Sequence, residues 1–160
     1  MIKFLSLTRI AVILIAGVAV RSLAQAWDTV PIASLQTVHG LLQIDQAGED
    51  GYRLFVDSHF IAELEAFSVG ISSTLPSDKP QYVLLKIDTG GGSCPALYRL
   101  LDLTPGRKPH LTHELGHCFA VPSLKLEGKN IAINFSNSHD SKSQTILYET
   151  NLQRLNTFQE

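Results

Sequence analysis

The segment HELGH, at residues 113–117, has residue types and spacing that can bind and use a zinc ion. On a helix, residues four positions apart share one face, so His113 and His117 would be able to hold one Zn²⁺. Glu114 would then stand beside the metal as general base for its bound water. The conformation of residues 110–119, which contain the motif, therefore decides between a hydrolytic and a non-enzymatic interpretation.

This pattern resembles the H-E-x-x-H signature of the zincins, which implies a small zinc metallopeptidase with Zn²⁺ as cofactor. A catalytic zinc needs a third protein ligand, and Ser123 stands where the extended motif has its third histidine. Gly116 would cost about 1 kcal/mol in a helix interior, and no second long helix is evident. The remaining candidates for a third ligand are His139, Asp140 and Glu149.

The same stretch, residues 110–119, can instead form a strand. The sequence TPGRKP at 104–109 predicts a turn before it, so it would pair with residues 96–103 in a hairpin. Cys118 would then reach back toward Cys94. One face of this strand would carry Leu111, His113, Leu115 and His117. This interpretation explains the turn and both cysteines, and it commits no residue to catalysis or metal binding.

Cys94 and Cys118 are the only two cysteines of the chain. Two thiols in an oxidising compartment most simply form one disulfide, and neither belongs to a C-x-x-C pair. Closing a loop of about 25 residues stabilises a fold by about 3.5 kcal/mol. We therefore predict a Cys94–Cys118 disulfide.

Residues 1–26 are typical of a secretory signal peptide. The segment has three basic residues and no acid, an eleven-residue apolar run at 10–20, and the small-x-small site Ala24-Gln25-Ala26. A membrane-spanning helix needs about 20 residues, so no stable membrane anchor is expected after cleavage at Ala26. An uncleaved anchor is the alternative, because Arg21 lies close to the site. The prediction is a periplasmic or secreted protein with one domain over residues 27–160.

The charge content and net charge of the chain limit the classes of partner that it can bind. Only 18% of the 160 residues are charged, which excludes a disordered charged chain and a coiled coil. The formal net charge is −2 for the whole chain, and it becomes −5 once the three basic residues of the first segment are removed. An acidic surface repels phosphate backbones and anionic lipids. Nucleic acid is therefore not expected as a partner.

Short β-compatible segments separated by Gly and Pro turns predict a mainly β fold, either an antiparallel sandwich or a small barrel-like meander with one disulfide. One or two short helices are also expected, at 152–158 and, as an alternative to a strand, at 60–69. The scattered histidines His39, His59 and His139 are predicted to be surface or turn residues. The predicted strands are 38–46, 52–59, 82–88, 96–103, 123–127, 131–135 and 145–148.

A longer pattern gives a second resemblance. The stretch GGGSCPALYR at 90–99, followed by Leu115-Gly116-x-Cys118, resembles small uncharacterised exported proteobacterial proteins with G-G-x-x-C-P-A-x-Y-R and then F-G-x-C. The resemblance implies a β-rich domain whose two cysteines pair. Members have Thr or a similar residue at the position of His117, which implies that HELGH arises by chance on this scaffold.

The leading hypothesis is an exported, disulfide-stapled β domain that acts as a non-enzymatic binding module without a cofactor. Its partner would be a protein or an envelope component, and an inhibitor or immunity role suits the size and acidity. The alternatives are the zinc metallopeptidase and a histidine-based module that carries or senses a metal.

Overall fold

The computed structural model describes residues 31–116, 120–137 and 143–159. The predicted signal peptide and its cleavage site therefore lie outside the described residues. Four candidate site residues also lie outside them, namely His117, Cys118, His139 and Asp140.

The described chain forms three four-stranded antiparallel sheets, and each sheet is a meander in which every strand pairs with its neighbour in sequence. The first sheet has the order β1-β2-β3-β4, the middle sheet β5-β6-β7-β8 and the third sheet β12-β11-β10-β9. The strands are β1 (Ala33–Thr37), β2 (Gly40–Gln46), β3 (Gly51–Val56), β4 (His59–Glu65), β5 (Ser68–Leu75), β6 (Tyr82–Gly91), β7 (Cys94–Asp102), β8 (His110–Leu111), β9 (Ala120–Glu127), β10 (Asn130–Asn137), β11 (Ser143–Glu149) and β12 (Arg154–Gln159).

The middle sheet lies between two hydrophobic cores. Along β6, Val83 and Leu85 pack with the first sheet, whereas Tyr82 and Leu84 pack with the third sheet. Successive side chains of a strand point to opposite faces, so an uninterrupted apolar run fills both cores at once. This explains why β6 begins with the sequence YVLLKI rather than with an alternating pattern.

The outer sheets show the alternation expected of one buried face. On β3, Tyr52, Leu54 and Val56 are buried, and Arg53 between them is exposed. The mainly β, antiparallel prediction is confirmed. The structure is a sandwich of three layers, with the third layer formed by β9 to β12.

The helix predicted at 152–158 is wrong, and at 60–69 the strand alternative is the one that forms. The described residues contain no helix, and consequently none that is long and apolar enough to cross a membrane. Residues 60–69 continue β4 and enter β5, and most of 152–158 belongs to β12, where Leu155 pairs with Tyr148 and packs on the third-sheet core. Tertiary pairing outweighs the weak helical spacing in both segments.

Loops from all three sheets meet at one end of the molecule, which we call the loop end. Backbone hydrogen bonds join them: Val38 N–H donates to Pro80 O (3.1 Å) and Leu103 N–H donates to Gln81 O (2.7 Å). The Thr150 hydroxyl donates to Lys129 O (2.6 Å). The loop end comprises the connections 38–39, 57–58, 76–81, 103–109, 128–129 and 150–153.

Candidate functional site

The described part of the HELGH segment is neither a helix nor a regular strand. β8 ends at Leu111, the Thr112 N–H still donates to Leu100 O of β7 (2.9 Å), and Leu115 then pairs with Tyr98 of the same strand. The Leu115 N–H donates to Tyr98 O (2.7 Å) and the Tyr98 N–H donates to Leu115 O (3.2 Å). The helical face that the zinc-peptidase alternative requires of this segment is therefore not formed over 112–116.

The backbone of Gly116 has a conformation that is incompatible with a helix at this point. Its φ of 88° lies in the left-handed region, which the interior of an α-helix does not contain. A Cβ atom at this position would lie 2.3 Å from Cε1 of Phe135, a distance that real Cβ contacts do not show. The Leu115-Gly116 pair therefore serves packing: Leu115 is buried, and Gly116 lets the Phe135 ring pass close to the backbone.

His113 and Glu114 of the motif are both exposed at the surface. Glu114 is exposed, and its Oε1 lies 3.4 Å from Nη2 of Arg99. His113 is also exposed and lines a shallow cavity with His110 and Arg154. Within residues 31–116, 120–137 and 143–159, no three His, Cys, Asp or Glu side chains converge as metal ligands.

Glu149, the third-ligand candidate that the structure describes, already has partners. Its Oε1 lies 3.4 Å from Nη2 of Arg154 on the neighbouring strand β12 and accepts a hydrogen bond from the Asn156 amide. His139 and Asp140, the other two candidates, lie outside the described residues, as does His117. The structure thus holds Glu149 within the third sheet.

Cys94 begins β7 and is half-buried. No described cysteine is a free thiol. The Cys94 carbonyl accepts a hydrogen bond from the Thr89 hydroxyl across the β6–β7 turn. Cys118 lies outside the described residues, so the pairing of the two cysteines stays a prediction.

A buried carboxylate instead organises the loop end. Asp102 is 1% exposed; its Oδ2 accepts a hydrogen bond from the Tyr148 hydroxyl (2.8 Å). Its Oδ1 accepts two more, from the Thr104 N–H (2.8 Å) and the Thr104 hydroxyl (2.6 Å). Burial, together with the hydrogen bond and the negative charge of Asp102, raises the pKa of Tyr148 well above its usual range. Tyr148 is therefore a permanent donor that ties the third sheet to the middle one.

The network continues from Asp102 toward the surface. The Gln81 amide donates to both the Tyr82 hydroxyl and the Thr104 hydroxyl, each at 2.9 Å. The Tyr82 and Thr104 oxygens lie 3.3 Å apart. Gln81, Tyr82 and Thr104 thus form one connected network, which the buried Asp102 anchors through Thr104.

These three side chains form the floor of a cavity of about 400 Å³, which we call the inter-sheet cleft. Its apolar wall includes Leu126, a side chain that is 56% exposed. Apolar walls with a few fixed hydrogen-bonding groups are typical of ligand sites. We call its first polar group, Gln81, Tyr82 and Thr104, the floor, its apolar lining, Leu75, Pro76 and Leu126, the wall, and its other polar residues, Lys129, Thr150 and Asn151, the rim.

Sequence reasoning missed this site because its parts are distant in the chain. The Asp102–Tyr148 hydrogen bond spans 46 residues and joins two sheets. No local sequence pattern predicts that these two sheets stack on each other. One signal was present: Asp102 is an acid at the end of the apolar strand sequence ALYRLLDL. A buried acid needs partners, and Thr104 two residues later is one of them.

Comparisons of the chain with family models, with curated proteins and with solved structures gave no match. The resemblance to exported proteobacterial proteins thus stays an expectation. The functional interpretation rests on the geometry of the loop end.

Proposed function

We propose that the protein is an exported, disulfide-stapled β domain that acts as a non-enzymatic binding module, periplasmic or secreted, with the inter-sheet cleft as its ligand site. The observation that carries this proposal is the cleft floor, in which Gln81, Tyr82 and Thr104 are bonded to one another and Thr104 is bonded to the buried Asp102. Groups that are already ordered lose little entropy when a ligand binds.

The chemistry of the cleft favours a segment of a protein partner. Its floor offers hydroxyl groups and an amide, which match the N–H and C=O groups of a peptide backbone. The exposed Leu126 and the neighbouring Leu75 offer an apolar surface for one side chain of the ligand. An inhibitor or immunity role is the finer form of this proposal.

The disulfide belongs to the same proposal. Leu115 and Tyr98 are paired, Cys118 follows Leu115 by three residues, and Cys94 precedes Tyr98 by four. In an antiparallel arrangement this count favours proximity of the two sulfur atoms. A thiol titration of the purified, denatured protein without reductant should find no free thiol. Two free thiols would remove the staple from the proposal.

Ligand binding in the cleft is testable with a small peptide mimic. N-acetyl-L-leucine methylamide carries one apolar side chain and two amides. We expect it to shift the amide resonances of residues 75, 81, 104 and 126 in a saturable NMR titration, with a dissociation constant on the order of 1 mM, as befits so small a ligand.

A matched pair of variants locates the binding. Leu126→Glu places a charge on the cleft wall at an exposed position, so the fold is retained and the affinity should fall about tenfold. Leu41→Glu changes an exposed leucine of the first sheet that does not line the cleft, and it should bind like the unsubstituted protein. Equal affinities for all three proteins would contradict the cleft as the site.

A further inference from the structure

A second cavity at the loop end is lined by two histidines and a lysine that the proposed function does not use. It has a volume of about 450 Å³ and lies between the first sheet and the 104–109 loop. We call it the histidine cavity. The side chains that carry the argument are His39, Asp57, His59, Phe60 and Lys108.

Backbone carbonyls fix the tautomer of both histidines. Nε2 of His39 lies 3.3 Å from the carbonyl oxygen of Thr104, and Nδ1 of His59 lies 2.9 Å from that of Asp57. A carbonyl oxygen only accepts, so each of these nitrogens carries a hydrogen. The opposite nitrogens, Nδ1 of His39 and Nε2 of His59, hold lone pairs in the neutral rings. Protonation of either lone pair turns that ring into a charged donor with a fixed orientation.

The charged groups of the lining favour an anion over a metal cation. Lys108 is exposed and has no acidic partner within 4 Å among the described residues, so its ammonium repels a divalent cation and attracts an oxyanion. Asp57 is the one acid among the described lining residues. Its carboxylate opposes an anion, and its side chain, which belongs to the β3–β4 turn, lies against Gly40 of β2.

The remaining lining is apolar. Phe60 is 58% exposed, and its ring centroid lies 5.9 Å from that of Phe55 in an edge-to-face arrangement. Ile61 and Pro109 line the same cavity. An exposed aromatic ring beside cationic groups suits a ligand with an anionic head and an apolar body.

We infer that the histidine cavity binds an oxyanion, a carboxylate or a phosphate, carried on an apolar body, and that acidification strengthens the binding. Lys108 supplies a constant charge, and His39 and His59 add theirs as the pH falls. The site is separate from the inter-sheet cleft, so the failure of one leaves the other standing.

Three probes of similar size test this inference with the mature protein: N-acetyl-L-phenylalanine, phenyl phosphate and N-acetyl-L-phenylalaninamide. Binding is measured by calorimetry at pH 5.5 and 7.5, and the imidazole resonances of His39 and His59 are followed by NMR. At least one anionic probe should bind about tenfold more tightly at pH 5.5 for each imidazole that must be protonated, and the amide should not bind. Whichever anionic probe binds identifies the source of the oxyanion.

Variants assign the effect to the named residues. His39→Gln and His59→Gln keep a polar side chain, and each should remove about tenfold of the pH dependence. Lys108→Gln should weaken binding at both pH values, whereas Lys86→Gln, at an exposed lysine of β6 that lines neither cavity, should change nothing. The inference is overturned if neither anion binds at pH 5.5, if the amide binds equally well, or if the histidine variants keep the full pH dependence.

Discussion

Gly116 is a residue whose role follows from two measurable properties of its backbone position. It combines a left-handed φ with a close approach to the ring of Phe135. Gly48, in the β2–β3 turn, has the same φ of 88° but no atom within 4 Å of its Cβ position. A comparison of the two positions therefore distinguishes the cost of the left-handed backbone, present at both, from the cost of steric overlap, present only at Gly116.

Substitution of these two glycines should give unequal losses of stability. Gly48→Ala should lower the free energy of unfolding by about 1–2 kcal/mol, because only the left-handed conformation is disfavoured. Gly116→Ala should lower it by about 2–5 kcal/mol, because the Phe135 ring must also move. Urea denaturation followed by circular dichroism measures both. Equal losses would show that the Phe135 contact has no energetic weight.

Tyr148 makes stability depend on pH in the alkaline range. The fold favours its protonated phenol, and burial also raises the pKa of Tyr98. The stability from these groups is complete below about pH 10, the ordinary tyrosine pKa. Above it the unfolded chain releases protons that the folded protein keeps, so stability falls.

The expected slope is about 1.4 kcal/mol per pH unit for each such tyrosine. Urea denaturation between pH 9 and pH 11 measures it. Tyr148→Phe should be less stable at neutral pH, since Asp102 loses a donor, and should also show a shallower alkaline slope. An unchanged slope in this variant would mean that Tyr148 titrates alike in both states.

At the scale of elements, β6 is shared by both cores. Leu84 and Leu85 are adjacent and fully buried, yet they pack with different sheets. A single strand that belongs to two cores couples them, because neither core survives without it. We therefore expect the three layers to unfold together.

Two alanine variants test this coupling. Leu84→Ala weakens the middle–third core and Leu85→Ala weakens the first–middle core, each by about 2–5 kcal/mol. Both should keep one unfolding transition, seen at the same urea concentration by circular dichroism and by tyrosine fluorescence. Two separate transitions in either variant would show that the cores fold independently.

The elements that sequence patterns predicted well are those set by local alternation and turn residues. The hairpin between 38–46 and 52–59 appears as β2 and β3, and the segment 82–88 lies within β6. Residues 60–69 were ambiguous because Ile61, Leu64 and Phe67 have helical spacing. Within the fold Leu64 is buried on β4, and Phe67 is exposed after the strand ends. Only the neighbouring strand β3 decides between the two possibilities.

The candidate site was harder to predict than the strands. The zinc-site interpretation of His113 and Glu114 requires a helix. The left-handed φ of Gly116 excludes that helix over the described residues. The inter-sheet cleft depends on Asp102, Thr104 and Tyr148, which meet only after two sheets stack. A short sequence motif can predict a site whose geometry is local. The inter-sheet cleft cannot be predicted in this way, because its geometry depends on how the sheets pack.

At the scale of the whole molecule, the charges of the loops are distributed unequally. The loop end carries four basic side chains and two acidic ones, Asp57 and Asp78. The described part of the opposite end, joined by bonds from Ala66 to Asp50 and from Phe67 to Asp88, is acidic. A partner therefore meets a local field that differs from the net charge of the chain. The basic side chains are Lys79, Arg107, Lys108 and Lys129, and the acidic ones of the opposite end include Glu49, Asp50, Glu65 and Asp88.

Removal of the third sheet should destroy the soluble fold. A chain that stops at residue 119 keeps the first and middle sheets but uncovers an apolar face that includes Tyr82, Leu84, Tyr98 and Leu100. We expect this chain to bind the dye ANS strongly and to elute as aggregates in size-exclusion chromatography. A monomer with dispersed amide resonances would contradict the need for three layers.

The sequential order of the three meanders also has a consequence for biogenesis. Each sheet closes from neighbouring segments, so the first two layers assemble as soon as their residues become available. The second face of β6 and β7 must then wait for the last forty or so residues before it is covered. During that interval the nascent chain exposes an apolar face and is prone to aggregate. A chaperone that covers this face until β10 and β11 have been synthesised would raise the yield of folded protein.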